Sequence, residues 1–138
     1  MDTADKLAIG ELLARSAYGL DLKDLSTLEG CFAASANFSL AIEGVPDVAR
    51  FEGRDAIMGL FKGALDDQTD ERKHVISNIF FRDTTGDRAT VLSYLTLFAT
   101  EHGETQLITT GLYTDQVMRD GSGNWLITDR DLKLDRPY

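Results

Sequence analysis

The sequence is short of several residue types, and each shortage excludes a class of protein. Its 138 residues include one cysteine, Cys31, so an intrachain disulfide and a cysteine-based zinc site are both excluded. No stretch reaches the ~18 consecutive apolar residues of a membrane-spanning helix. Residues 1–6 lack the basic and apolar regions of a signal peptide, which predicts a cytoplasmic protein. Only two prolines interrupt the chain.

Basic clusters are also missing. The formal net charge is −9, and lysine and arginine are dispersed. A negative net charge of this size repels phosphate backbones and anionic lipids, and it therefore argues against a nucleic-acid or membrane partner. The chain also lacks a phosphate-binding glycine loop, a dinucleotide fingerprint and Ser-His-Asp signals. With only two histidines and no His/Glu cluster, we expect neither a metal site nor a cofactor.

The first half of the chain has the apolar spacing of helices. Residues 5–18 form one amphipathic pattern, with Gly19 as a plausible stop. A short second helix begins at Asp24 or at Ser26 and turns Leu25, Leu28, Cys31 and Phe32 to one side. Residues 37–42 indicate a short strand, 43–52 a loop, and 53–61 the start of a third helix.

The second half has the composition of strands. Four segments rich in β-branched and aromatic residues are separated by short turns: 72–82, 88–100, 105–118 and 125–134. Short turns make consecutive strands antiparallel neighbours. Because one face of this sheet must be covered and only the helices are available, the sequence predicts one α+β domain over residues 1–138. A sheet that curves around its helices encloses an apolar cavity, the usual kind of small-molecule site.

Two residues stand out as a candidate acid–base pair. His74 shares one strand face with Arg72, Ile76, Asn78 and Phe80, as in a mostly apolar pocket wall. The strand alone favours a buried histidine bonded to a backbone carbonyl. Asp21 follows the first helix, where a carboxylate opposes the helix dipole. Asp21 either serves as a turn residue or accepts a hydrogen bond that fixes the tautomer of a histidine.

Several segments resemble SnoaL-like proteins of the nuclear-transport-factor-like superfamily. Similar segments are Tyr18 to Asp24, Gly53 to Ile57, Lys73-His74-Val-Ile-Ser-Asn78, Gly111 to Asp115 and Trp125 to Arg130, in matching order over residues 3–134. The resemblance implies a cone, with N-terminal helices packed in a strongly curved, mostly antiparallel sheet that encloses a deep pocket. In the dehydratase and dehydrochlorinase branch an Asp–His pair abstracts a proton, and the matching residues are Asp21 and His74.

Besides Asp21 and His74, several other residues are candidates for the lining of the pocket. Tyr18 is either a donor in the pocket or part of an apolar helix face, and Asn78 shares the face of His74. The pattern of the second long strand does not determine which of its faces points inward; the resemblance places Leu95 and Leu97 in the pocket.

The last two strands contribute further candidates. Tyr113 shares a face with Gly111, which could leave room for a ligand. Arg130 either binds a substrate oxygen or, more simply, pairs with Asp115 or Asp129. His102 lies in a turn and is expected in solvent.

Two functions are compatible with this sequence. The first is a cofactor-independent lyase or isomerase, in which His74, held by Asp21, removes a proton from a small hydrophobic cyclic or aromatic molecule. Tyr18 or Asn78 would then stabilise the developing charge. The alternative is a non-catalytic binding or assembly module, as in the small subunits of ring-hydroxylating dioxygenases. Apolar residues on the outer sheet face predict a homodimer or homotrimer: Val75, Ile79, Phe81, Leu92, Tyr94 and Phe98.

Overall fold

A computed structural model describes all 138 residues as an α+β fold in which helices pack against one curled six-stranded sheet. Three helices and six strands follow the order α1 Thr3–Asp21, α2 Leu25–Glu29, β1 Phe32–Ile42, β2 Ala49–Glu52, α3 Arg54–Asp67, β3 Glu71–Arg82, β4 Arg88–Glu101, β5 Glu104–Arg119 and β6 Trp125–Leu134. The predicted fold class is confirmed. None of the helices combines the length and apolar character that a bilayer crossing requires.

The sheet has the order β2-β1-β6-β5-β4-β3. All neighbours are antiparallel except β1 and β6, which run parallel. The predicted meander of four long strands is therefore present as β3 to β6. The last strand of the meander then pairs with the first strand of the chain, which continues the sheet to β2.

Side-chain caps define the beginnings of the first two helices. Asp2 and Asp5 form a reciprocal capping box at α1, in which Asp2 accepts from the Asp5 N–H at 2.8 Å. At α2 the carboxylate of Asp24 accepts from the Thr27 N–H at 3.1 Å, so Asp24 and not Ser26 is the cap. Both caps supply acceptors for N–H groups that have no partner within the helix.

Three element boundaries differ from the prediction. The first helix continues through Gly19 to Asp21. Phe32 belongs to β1 and not to the second helix, because α2 ends at Glu29. The predicted loop 43–52 contains strand β2, whose residues Ala49 and Phe51 pair with β1. β2 is only four residues long and mostly exposed, so its apolar alternation is weak.

A β-bulge changes the predicted faces of β3. Between Ser77 and Phe80 this strand has one residue more than β4, and Asn78 adopts a positive φ of 55°. An extra residue inverts the alternation beyond it. As a result Phe81 turns inward onto the core, whereas Phe80 is 63% exposed on the outer face. The placement of Phe80 inside and Phe81 outside was therefore wrong.

The buried apolar side chains form two clusters. The larger joins α1, α2 and α3 to β1 and to one end of the long strands, and it includes Ile9, Leu12, Phe32 and Ile57. The smaller contains Leu95, Leu97, Tyr113 and Leu134. The larger cluster is the packed core, while every member of the smaller cluster borders a cavity.

Candidate active site

The end of α1 meets the first half of β3 through Asp21 and His74. The Asp21 carboxylate accepts the main-chain N–H of His74 at 3.0 and 3.1 Å, one distance to each oxygen. The ring Nδ1 of His74 lies 2.6 Å from Oδ1 of the same carboxylate. A carboxylate with these two contacts fixes both the strand and the imidazole ring against the helix.

This contact determines which nitrogen of His74 is available for chemistry. A carboxylate only accepts hydrogen bonds, so a neutral ring in this position carries its proton on Nδ1. Nε2 is then an unprotonated base, and no protein group bonds to it. The side chains of His74 and Asp21 are 15% and 9% exposed. Asp21 and His74 thus have the geometry of a carboxylate-oriented general base.

His74 lies in the wall of a cavity of about 110 Å³ that is partly open to solvent. Thirteen of the seventeen lining residues are hydrophobic, so the wall of the cavity is predominantly apolar. The four others are Gln68, Arg72, His74 and Arg130. The apolar wall comes from every main element around the cavity: Leu20, Phe38, Leu40, Leu60, Phe61, Ala64, Leu65, Leu95, Leu97, Tyr113, Leu132, Leu134 and Tyr138.

A buried ion pair borders the cavity beside Tyr113. Arg130 donates through Nε and Nη2 to the two oxygens of Asp115, at 2.8 and 3.0 Å, and through Nη1 to Ser16 at 3.2 Å. Its guanidinium carbon also lies 4.2 Å from the centre of the Tyr113 ring. Burial opposes the charge of Arg130, but the Asp115 carboxylate outweighs it and raises the pKa of Arg130 above its ordinary value. Arg130 is therefore a permanent cation.

Of the predicted pocket residues, Leu95, Leu97, Tyr113 and Arg130 line the cavity together with His74. Burial raises the pKa of the Tyr113 phenol, although the nearby Arg130 opposes this, so Tyr113 keeps its proton at neutral pH. Arg130 also forms the ion pair with Asp115 that its sequence position suggested as the simpler role. These contacts use three of the five N–H groups of the guanidinium.

Two predicted pocket residues lie elsewhere. Tyr18 is 62% exposed on the outer side of α1 and lies in a surface depression between α1 and β3, which Asp21 and His74 also border. Asn78 occupies the bulge of β3 and contributes to the outer face of the sheet near Phe80 and Tyr94. The structure therefore does not bring either side chain to the cavity, and their placement in the pocket is corrected.

Gly111 has a different role from the one suggested. A Cβ at this position would come within 2.8 Å of the Lys133 carbonyl oxygen and 3.1 Å of Leu134. The missing side chain thus permits β5 and β6 to approach and does not create space for a ligand. His102 is 90% exposed in its turn, as expected. No three His, Cys, Asp or Glu side chains cluster as metal ligands would.

Sequence reasoning missed the residues at one end of the cavity. Arg72 lines it and pairs with Asp70 at 2.9 Å. Tyr138 lines it as well, with its ring 5.9 Å from the Arg72 guanidinium carbon. The period of two placed Arg72 on the strand face of His74, but Arg72 was not among the predicted site residues. Tyr138 follows the last strand and has no pattern that marks it.

The chain belongs to the SnoaL-like domain family, whose family model matches residues 1–131. A search of curated proteins found no significant match. Among solved structures, the β-subunit of a candidate aromatic-ring-hydroxylating dioxygenase from Novosphingobium aromaticivorans is similar, with a TM-score of 0.83 and 19% identity, covering 98% of this chain and 92% of that one.

Two further structures are similar in fold. A candidate scytalone dehydratase from the same organism has a TM-score of 0.80 and 24% identity, with 95% of this chain and 84% of that chain covered. LinA has a TM-score of 0.77 and 19% identity, with 96% and 86% covered. At these identities the similarity establishes the fold.

Proposed function

We propose that the protein is a cofactor-independent lyase or isomerase that uses His74 as a general base on a small hydrophobic cyclic molecule. The observation that carries the proposal is the 2.6 Å contact between Asp21 Oδ1 and His74 Nδ1 at the wall of an apolar cavity. Nε2 would take a proton from a C–H bond of the bound molecule. The electron pair left behind would form a carbon–carbon double bond, either by expelling a leaving group from the neighbouring carbon or by displacing an existing double bond, whose far carbon then takes the proton back.

The cavity supports this function in a second way. An apolar wall excludes water from a bound molecule and strengthens the electrostatic contacts that remain. General-base assistance contributes about 10²–10⁴ in rate, and fixed dipoles around the developing charge supply the rest. Three structures of similar fold are consistent with either function: a candidate dehydratase, LinA, and a dioxygenase β-subunit.

Proton abstraction can be measured before the natural substrate is identified. A panel of cyclic and aromatic ketones in D₂O, followed by proton NMR, reports the exchange of acidic C–H protons. Wild-type protein should accelerate exchange of at least one compound, and His74→Gln should reduce that rate about 10²–10⁴-fold. His102→Gln is the matched control, because the only other histidine is exposed in a turn.

The result also separates the two functional classes. Equal exchange rates for wild-type and His74→Gln would refute the general-base proposal. Compounds that raise the melting temperature of the wild-type protein but never exchange would favour a non-catalytic binding module. His74 and Asp21 are mostly buried beside the cavity, which supports the catalytic interpretation.

We further propose that a second copy of the chain covers the outer sheet face in a homodimer or homotrimer. Val75, Ile79, Phe80 and Tyr94 are each at least 40% exposed on neighbouring strands β3 and β4. An apolar area of this kind marks an interaction surface. Light scattering should give a multiple of 15.2 kDa for wild type and a smaller mass for Phe80→Glu. A wild-type monomer at micromolar concentration would contradict the proposal.

A further inference from the structure

The phenol of Tyr113 is the one buried hydroxyl at the cavity that has no partner in the protein. The residue is 3% exposed and lines the cavity. No side-chain hydrogen bond involves its oxygen, and that oxygen is not among the fully enclosed polar atoms that lack a partner, which are Ser93 Oγ and Arg119 Nε. The hydroxyl of Tyr113 is therefore in contact with the open space of the cavity.

Arg130 makes this hydroxyl a better donor. The guanidinium lies against the Tyr113 ring at 4.2 Å and is held there by Asp115 and Ser16. A cation on the face of the ring withdraws electron density from the phenol and favours negative charge near its oxygen. Because Arg130 is fixed by three hydrogen bonds, this field is present before any molecule binds.

The charges around the cavity restrict the class of molecule that fits. Both guanidinium groups of the lining have their own carboxylates: Arg130 is paired with Asp115, and Arg72 with Asp70. No lining cation is left to neutralise an anionic group, and Asp21 lies behind His74. A neutral molecule is thus favoured, on which negative charge appears only during the reaction.

The size of the cavity limits the molecule as well. At about 110 Å³ it is smaller than the roughly 300–1,000 Å³ typical of sites for drug-sized ligands. It is closer to an engineered apolar cavity of about 150 Å³ that holds one benzene molecule. The space therefore accommodates one ring of a bound molecule.

We propose that Tyr113 is a catalytic hydrogen-bond donor to the carbonyl oxygen of a neutral, cyclic, enolisable ketone that places one ring in the cavity and whose α-proton is removed by His74. This inference rests on the proposed function and specifies its substrate class. The C–H bond breaks and its proton moves to Nε2 of His74. The C–H electron pair forms the enolate double bond, and the carbonyl π pair moves to the oxygen that Tyr113 contacts. In a ketone with a β,γ carbon–carbon double bond, return of the proton to the γ-carbon moves that double bond into conjugation with the carbonyl group and completes an isomerisation.

Binding of a stable oxyanion tests this role without catalysis. para-Nitrophenolate carries negative charge on a ring oxygen and has a visible absorption band, while nitrobenzene has the same ring without that oxygen. Tyr113→Phe should weaken para-nitrophenolate binding about ten- to a hundredfold, the range expected for a hydrogen bond to a charged group. Nitrobenzene binding should change less than twofold, which also shows that the cavity of the variant is intact.

Tyr18→Phe is the matched control, since its hydroxyl lies outside the cavity. Equal para-nitrophenolate affinities for wild type and Tyr113→Phe would overturn the proposal. It would also be overturned if Tyr113→Phe weakened the binding of para-nitrophenolate and of nitrobenzene by the same factor. Either result could occur while His74→Gln still abolishes ketone exchange, so failure of the Tyr113 role is distinguishable from failure of the proposed function.

Discussion

Gly19 of α1 lies directly against Leu28 of α2, so closely that a Cβ on Gly19 would be 3.1 Å from the Leu28 Cα atom. This contact permits the two helices to cross without a side chain between them. It also explains why a glycine lies inside α1 and does not end it. The helix continues for two more residues and delivers Asp21 to His74.

We expect Gly19→Ala to lower the free energy of unfolding by about 1–3 kcal/mol, because the new methyl group overpacks against the α2 backbone. Gly10→Ala is the control. It lies in the same helix, where an added methyl group would have no neighbour within 4 Å, and should stabilise by about 0.5–1 kcal/mol. Urea denaturation measures both. A stabilised Gly19→Ala protein would contradict the close-packing account.

Removal of the Asp21 carboxylate should release the His74 ring. In Asp21→Ala the main-chain N–H and Nδ1 of His74 both lose their acceptor, and we expect a loss of about 1–3 kcal/mol in stability. Nitrogen-15 NMR of the ring should change from one tautomer, with the proton on Nδ1, to a mixture. Asp67→Ala, an exposed position in α3, should alter neither property. An unchanged tautomer in Asp21→Ala would show that another group orients the ring.

The bulge at Asn78 should tolerate glycine but not a β-branched residue. Asparagine adopts a left-handed backbone conformation more readily than other non-glycine residues. At φ 55° we expect Asn78→Gly to remain within about 0.5 kcal/mol of wild type, and Asn78→Val to lose about 1–2 kcal/mol or more. Chemical denaturation again gives the comparison. Equal stability for the two variants would mean that the positive φ does not constrain the residue.

Cys31 should make stability fall in alkaline solution. Burial raises the pKa of its thiol above the ordinary value of 9.0. The folded chain therefore holds this proton after the unfolded chain has released it, and unfolding becomes more favourable as the pH rises above about 9. The free energy of unfolding of the wild-type protein should therefore fall relative to that of Cys31→Ala as the pH rises through this range. Urea denaturation of both proteins at each pH measures the difference. A constant difference would contradict a raised thiol pKa.

The residues that follow a simple period were predictable, and those set by irregular backbone were not. The period of two placed Arg72, His74 and Ile76 on the cavity side of β3, and it failed after Asn78, because no sequence rule specifies where a strand inserts an extra residue. Gly19 and Gly111 were misread for a related reason. Both glycines serve contacts with distant segments, Leu28 and Lys133, which local spacing does not reveal.

The pairing of Asp21 with His74 was predicted from a family resemblance and not from a sequence period. Neither residue alone favoured a site, since a histidine on an apolar strand and an aspartate in a turn both have ordinary explanations. Their combination came from resemblance to SnoaL-like proteins, and the structure brings the two side chains together across 53 positions of sequence. The contact between Tyr113 and Arg130 could not be predicted from local spacing either, because it depends on the pairing of β5 with β6.

The parallel pairing of β1 with β6 has a consequence for how the chain is made. Asn37 and Asp129, which face each other across these strands, are 92 positions apart. During synthesis β1 leaves the ribosome long before its partner, so only the short β2 is available to it. Such distant pairings slow folding, since a long loop must close before they form. The cavity, which includes Arg130 on β6, therefore cannot be complete until this strand has been made, and until then β1 and β5 each have an unpaired sheet edge.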